Sequence, residues 1–460
     1  MKNRLFVCLS GLLLAALAGS AVPLRGQSLT PPDSAWQQRW QELDQKQRIL
    51  ERKWELAREE AAAQAKAAPV LIAGKDGFSL KSADSAFLLR LRAHSQLDGR
   101  FFLDDAAAAN PNTLVNRRMR FLLEGTLNKI FDFKFMPDFA GSRLVLQDFF
   151  LDARLWPQLK FKAGKFKTPF GLERLQSPTN LLFIERGLPN NLVPNRDLGV
   201  QLHGDLAGGV VNYMAGVFNG VVDGGSGDSD SYDSKDLAAR LWLSPFTKTN
   251  WPALRQLGLG LAVTKGTQQG TPASPNLPSY NTPAQQSLFR YRADGTAAGT
   301  VIANGEIQRL SPQGYYSWGR LGVLGEYVIA RHQVTRGSLS AELEHRAWQL
   351  AASYSLTGEA AAYKGLTPLK TFDRVHGVLG SFEIVARYNV LEVDPDAFPV
   401  FANPQSAAQQ AKAWALGLNW YLNRNVKVVL NYEQTAFTGG AANGDRPDEK
   451  ALLSRVQVGF

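Results

Sequence analysis

The sequence has almost no cysteine: a single residue, Cys8, in 460. Because Cys8 lies in the extreme N-terminal segment, a chain trimmed beyond it has none. A disulfide framework, cysteine-ligated zinc and thiol catalysis are excluded together. Histidine is nearly as scarce, and the five residues His94, His203, His332, His345 and His376 show no metal-ligand spacing, so neither a metal nor a cofactor is expected. Charged residues make up only 20% of the chain, against 41 Gly and 23 Pro, which describes neither a coiled rod nor a disordered chain. Beyond the first two dozen residues there is no apolar run of roughly 18 residues, so a helical membrane span has no candidate. Leu257–Leu261 (LGLGL) has no helix after it and is not a phosphate cradle. No constellation for enzymatic catalysis emerges. The net charge of +10 points to an acidic partner without naming it, and charges of mixed sign on alternating segments exclude the basic stripe that nucleic acid requires.

What is present begins with an export signal. Lys2 and Arg4 precede an apolar core from Leu5 to Leu17, and Ala18, Gly19, Ser20 and Ala21 follow; this predicts a secretory signal peptide over residues 1–26. Pro31 and Pro32 then lead to Ser34 and Gln37, spaced as a capping box that opens a helix. Trp36, Trp40, Leu43, Gln47, Leu50, Trp54, Ala57 and Ala61 follow at spacings of 4, 3, 4, 3, 4, 3 and 4. That is an a/d seam, which predicts a coiled coil between chains over 33–66, with Gln47 as the polar residue that sets register. The alternative is an amphipathic helix lying on the chain's own main domain. Residues 67–75 read as a linker.

From Phe78 onward the period changes to two. Met119, Phe121 and Leu123 share one face and Arg118, Arg120, Leu122 and Glu124 the other; Phe382, Ile384, Ala386, Tyr388 and Val390 alternate with Glu383, Val385, Arg387 and Asn389. A soluble sandwich and a transmembrane barrel both produce this pattern. Connection lengths separate them. Sixteen candidate strands, near 86–103, 113–127, 130–141, 143–155, 158–168, 197–206, 209–219, 235–243, 254–267, 305–318, 321–333, 341–357, 376–392, 412–422, 425–437 and 451–460, are joined mostly by long links after odd strands and tight turns after even ones. Links 244–253 and 358–375, and the short connections 142 and 334–340, depart from the rule. Such sorting belongs to an outer-membrane barrel with long outer loops and short periplasmic turns. The expected fold is therefore all-β: a sixteen-stranded antiparallel transmembrane β-barrel over 76–460, preceded by a coiled-coil helix in the periplasm. The alternating end Val456-Gln-Val-Gly-Phe460 completes the picture as an assembly signal for the barrel-insertion machinery.

Six blocks resemble the phosphate-selective porins of the O and P type: Gly164–Gly171 (GKFKTPFG), Phe183–Gly187 (FIERG), Asn195–Gly204 (NRDLGVQLHG), Ser311–Tyr316 (SPQGYY), Phe382–Tyr388 (FEIVARY) and Leu418–Asn423 (LNWYLN). The resemblance spans nearly all of 76–460. It implies a trimer whose third outer loop, here residues 169–196, folds into the pore and narrows it. Family members with a strong phosphate site carry serines and a lysine on that loop; here the matching stretch is Gln176-Ser-Pro-Thr-Asn180, without lysine.

A porin replaces an ion's lost hydration with charges and dipoles along a narrow path. By parity, the arginines expected to face the lumen and form an anion pathway are Arg90, Arg92, Arg118 and Arg120, then Arg154, Arg240 and Arg387, with Arg174 as the constriction contact. Guanidinium groups stay charged at neutral pH and offer planar donors to phosphate or carboxylate. The competing expectation is that they pair with lumen acids such as Asp148, Asp152, Glu124 and Glu383 and brace the wall. Arg117 has the opposite parity and, without a bulge, points outward to lipid phosphates or a neighbouring subunit. The expected function is passive diffusion of small anions such as phosphate into the periplasm, by a homotrimer in outer-membrane lipid. A weakly selective general porin, or a plugged barrel acting as surface anchor, is the alternative.

Overall fold

The structure is a computed structural model that describes residues 34–74, 77–103, 111–230 and 232–460. The signal peptide expected over 1–26 lies outside the described residues. Contacts divide the chain into two units, one ending at Lys66 and one running from Ala67 to Phe460.

The first unit is a helix, α1 (Ser34–Ala67). Its residues are strong helix formers, and charged pairs such as Asp44–Arg48 at 2.9 Å support it at i,i+4 spacing. Trp36, Trp40, Leu43, Leu50 and Trp54 are all exposed, Trp54 to 71%, so the apolar seam is unburied in a single chain.

The second unit is one antiparallel sheet closed on itself. Its sixteen long strands are β1 (Leu88–Phe102), β2 (Thr113–Leu127), β3 (Phe131–Asp138), β4 (Val145–Trp156), β5 (Leu159–Lys167), β6 (Arg196–Leu206), β7 (Val211–Phe218), β8 (Asp236–Leu243), β9 (Gly258–Gln269), β10 (Ile302–Trp318), β11 (Leu321–Arg336), β12 (Leu339–Ser355), β13 (Ser381–Glu392), β14 (Ala408–Tyr421), β15 (Val426–Ala441) and β16 (Glu449–Gly459). Each pairs with the next, and β16 closes on β1 from Ala451 opposite Phe102 to Gly459 opposite His94. Closure leaves no free edge along the wall, as a span through hydrocarbon requires. Period-two alternation places Met119, Phe121, Ile384 and Tyr388 on the exposed outer face, while Arg118, Arg120, Glu383 and Asn389 are buried inside.

Each strand corresponds to one expected from the sequence, with shifted ends. The stretch 376–380 belongs to a loop, and β15 runs on to Ala441. The span read as a linker contains a strand, Val70–Gly74, that pairs with Gly77–Lys81; that second strand lies against the start of β1. Phe460 joins this corner: its N–H donates to the Ala93 carbonyl at 2.9 Å, and its ring packs edge-on against Phe78.

Both kinds of connection enter the barrel. At the long-loop rim, Tyr280, Leu288, Phe289 and Val301 from the connection between β9 and β10 pack with Phe170, Leu188, Leu192 and Val193, and with Ala397, Phe401 and Ala402 between β13 and β14. At the short-turn rim, the connection between β12 and β13 sends Tyr363 inward, where its hydroxyl donates to the Leu172 carbonyl at 2.6 Å. The barrel interior therefore holds a small apolar core of the kind a soluble domain has.

Candidate functional site

The segment between β5 and β6 folds inward into the lumen and separates two cavities. Its base is pinned where the Thr168 N–H meets the Asn195 carbonyl at 3.1 Å. Gly171, at φ +75°, turns the chain; a Cβ there would fall 2.6 Å from a Val193 methyl. A single helical turn, Leu172–Leu175, follows, and Glu326 of β11 accepts from the N–H groups of Leu172 at 2.6 Å and Glu173 at 3.4 Å. Further along, wall amides take up backbone groups that have left regular structure. Ile184 N–H donates to Asn431 and Leu188 N–H to Asn389, each at 2.8 Å, and Asn419 donates to the Leu182 carbonyl at 3.0 Å. Phe170, Leu172, Phe183, Ile184, Leu188 and Leu192 are buried beneath. The segment is thus wedged against β11–β15 and faces β1–β6.

Two cavities flank it. The one toward the long-loop rim, about 540 Å³, is lined by Arg117, Arg118, Arg120, Arg174, Arg186 and Arg196 against Asp138, Glu185 and Asp223, a surplus of three positive charges. The one toward the short-turn rim, about 390 Å³, is lined by Arg92, Lys134, Arg424 and Lys427 against Glu124, with His94, Ser177 and Thr179. Residues 177–180 divide them: Pro178 lines the first, Ser177, Thr179 and Asn180 the second. Gln96 and Gln457 hold this divider through the Pro178 carbonyl at 3.1 Å and the Thr179 carbonyl at 3.2 Å.

The eight arginines expected in the pathway separate into groups. Arg118, Arg120 and Arg174 line the first cavity and Arg92 the second; Arg90 and Arg154 lie together in a third pocket at the short-turn rim. Arg120 pairs with Asp138 at 2.6 Å, Arg92 with Glu124 at 3.5 Å and Arg154 with Asp132 at 2.8 Å. Arg240 and Arg387 line none of these cavities. Arg240 donates to Gln313 at 3.1 Å and stacks on Trp242, while Arg387 is buried between Glu433 at 2.7 Å, the Glu185 carbonyl at 3.0 Å and the Phe183 ring.

Arg117 corrects the parity reading. Gln96 lies opposite Arg118 and Leu97 opposite Asn116, which leaves Arg117 as the extra residue of a β-bulge. The bulge turns it inward, and its guanidinium grips Glu185 from the infolded segment. Arg100 and Arg455, which sequence reasoning passed over, stand beside the same carboxylate at 3.7 and 3.9 Å. Both share the inward parity of their strands, so alternation alone carried a signal for them. No such signal exists for Arg186 and Arg196, which irregular backbone and a strand's first residue deliver.

Arg174 donates to the Asn190 carbonyl at 2.8 Å, leaves its Nε without a partner and forms no ion pair among the described residues. Burial, then the charges of Arg186 and Arg196, push its guanidinium down to about 9, and burial brings Arg186 to about 10. Both remain cations at neutral pH; the direction records chiefly their burial, with the neighbouring guanidinium groups adding to it at Arg174. The segment has no lysine, yet Lys167 of β5 reaches it, donating to the Gln176 carbonyl at 2.7 Å beside Arg186 at 3.0 Å.

A closed sixteen-stranded antiparallel barrel, apolar outside and polar within, with an infolded segment dividing its lumen, is the architecture of a porin. The model for the family described as phosphate-selective porin O and P matches residues 90–460, and the chain belongs to that family. It is 24% identical over 432 residues to Porin O of Pseudomonas aeruginosa, covering 85% of this chain and 93% of the relative. Among solved structures, the outer-membrane channel DcaP of Acinetobacter baumannii matches at TM-score 0.54 and 10% identity, over 83% of this chain and 99% of that one. The anion-selective porin from Comamonas acidovorans matches at 0.52 and 11%, over 81% and 100%. These likenesses are of fold. The protein is an outer-membrane channel and not an enzyme.

Proposed function

We propose that this porin lets small anions, phosphate among them, diffuse passively across the outer membrane. The observation that carries the reading is the surplus of guanidinium groups around the cavity above the constriction, with Arg174 in no ion pair among the described residues. An anion entering there exchanges its hydration for charge-assisted hydrogen bonds, and a cation meets net repulsion. The absence of a lysine on residues 176–180 favours a second reading, a weakly selective general porin. Purified protein in a planar bilayer separates the two: a reversal potential in a salt gradient is expected to show anion preference. Equal permeability supports the general porin, cation preference overturns the anion reading, and absence of single-channel conductance leaves only a plugged surface anchor.

The exposed tryptophan and leucine seam of α1 supports a homotrimer in which three such helices form a coiled coil on the periplasmic side. Burying so many apolar residues between copies removes the cost of leaving them in water. The aromatic outer face meets outer-membrane lipid, and Phe460, at the end of the closing strand, serves as the signal read by the barrel-assembly machinery.

A further inference from the structure

Glu185 stands among four guanidinium groups. Arg117 binds its carboxylate through Nε and, at 3.3 Å, through Nη2. Arg100, Arg118 and Arg455 lie 3.7, 3.8 and 3.9 Å away, near enough to attract it and too far for a hydrogen bond. Arg455 is taken up by Asp98 at 2.6 and 2.7 Å, and Arg118 donates to Gln96 at 2.7 Å. Four positive groups therefore share two carboxylates. The inner members are buried, whereas the side chains of Arg100 and Arg117 are 17% and 31% exposed. Burial pushes the Glu185 carboxyl up, but Arg117 and Arg118 more than reverse this and hold it well below the usual range, so it is ionised at neutral pH.

A guanidinium taken out of water and left with contacts beyond hydrogen-bond length is incompletely compensated. The cluster is thus an oxyanion site with one occupant already in place, and that occupant comes from the constriction segment. We propose that Glu185 is a built-in competitor for the permeating ion: an oxyanion binds at Arg100, Arg117 and Arg118, and Glu185 weakens that binding enough for the ion to leave. This rests on the anion-channel reading above and adds the residue that sets how long an oxyanion dwells. Conduction needs binding that is favourable enough for entry and weak enough for exit, and a fixed carboxylate among four arginines supplies the second condition.

Calorimetry with inorganic phosphate on the detergent-solubilised full chain tests this without depending on conductance. Glu185→Gln keeps the side chain's size and removes its charge; phosphate is expected to bind about tenfold tighter or more, and Arg100→Ala in that background is expected to reverse the gain. Glu185→Asp, which retains the charge, is expected to bind as the parent does. Unchanged or weaker binding to Glu185→Gln overturns the proposal, and so does a Glu185→Gln gain that survives Arg100→Ala. In the bilayer, a Glu185→Gln channel whose chloride and phosphate currents rise in equal proportion also overturns it, because Glu185 is then a tether alone. Cation preference of the parent channel, by contrast, defeats the anion-channel reading itself.

Discussion

At the scale of residues, the position of a charge along the wall decides its role. Arg118 and Arg120 face a cavity, and Arg120 also holds Asp138. Replacing both by Ala removes two cations and frees a carboxylate, so anion preference measured by reversal potential is expected to fall; an unchanged ratio would make these residues structural. Arg387 should respond differently. It is enclosed, and Arg387→Ala leaves Glu433 as a buried charge without its partner, a defect of about 3–5 kcal/mol. The expected outcome is a lower temperature for loss of the folded band in heat-modifiability gels. The pH response follows from the same groups. A carboxyl with a depressed folded value, as at Glu185, contributes its tether fully above its ordinary pKa of about 4.3 and loses it only as pH falls through the lowered value. Arg174 and Arg186, at about 9 and 10, stay protonated below pH 8. Anion preference should therefore be flat between pH 8 and 5, and a reversal potential that moved across this window would refute the assignment of selectivity to these residues.

At the scale of elements, the strands were legible because alternation is a local property: each residue's side follows from its neighbour's. Heptad spacing made α1 legible for the same reason. For Arg117 the parity reading holds only without a bulge; a bulge does break the count there, and nothing in Val115-Asn-Arg-Arg-Met119 announces it. The infolded segment was legible as a loop but not as a structure, since its turns are held by Glu326, Asn389, Asn419 and Asn431, which are 130 or more residues away in the chain. The seam of α1 yields a prediction at this scale. Replacing Trp40 and Trp54 by Ala should shift the full chain in detergent toward smaller assemblies in analytical ultracentrifugation. An unaltered distribution would locate the oligomer contact entirely in the barrel.

At the scale of the whole molecule, one seam closes the wall. Asp98 of β1 and Arg455 of β16 lie directly opposite each other and form a bidentate, fully buried pair across it. Arg455→Ala removes the bridge between the first and last strands. It should lower barrel stability by a few kcal/mol, on the order expected for an orphaned buried carboxylate, and reduce the folded fraction recovered after refolding into detergent. Refolding yields equal to the parent's would show that backbone pairing alone closes the barrel.

Taken alone, the sequence determined the membrane-facing side of this protein. A repeat of two in hydrophobicity and the sorting of long and short connections together force an antiparallel barrel, because lipid leaves no other way to satisfy strand backbones. The inner side was decided only in three dimensions. Closing the barrel brings Asp98 to Arg455, and folding one connection inward brings Glu185 to Arg117, Arg100 and Arg118. Electrostatic interaction in a lumen depends on distance and on exclusion of water, and neither quantity is a function of neighbouring positions in the chain.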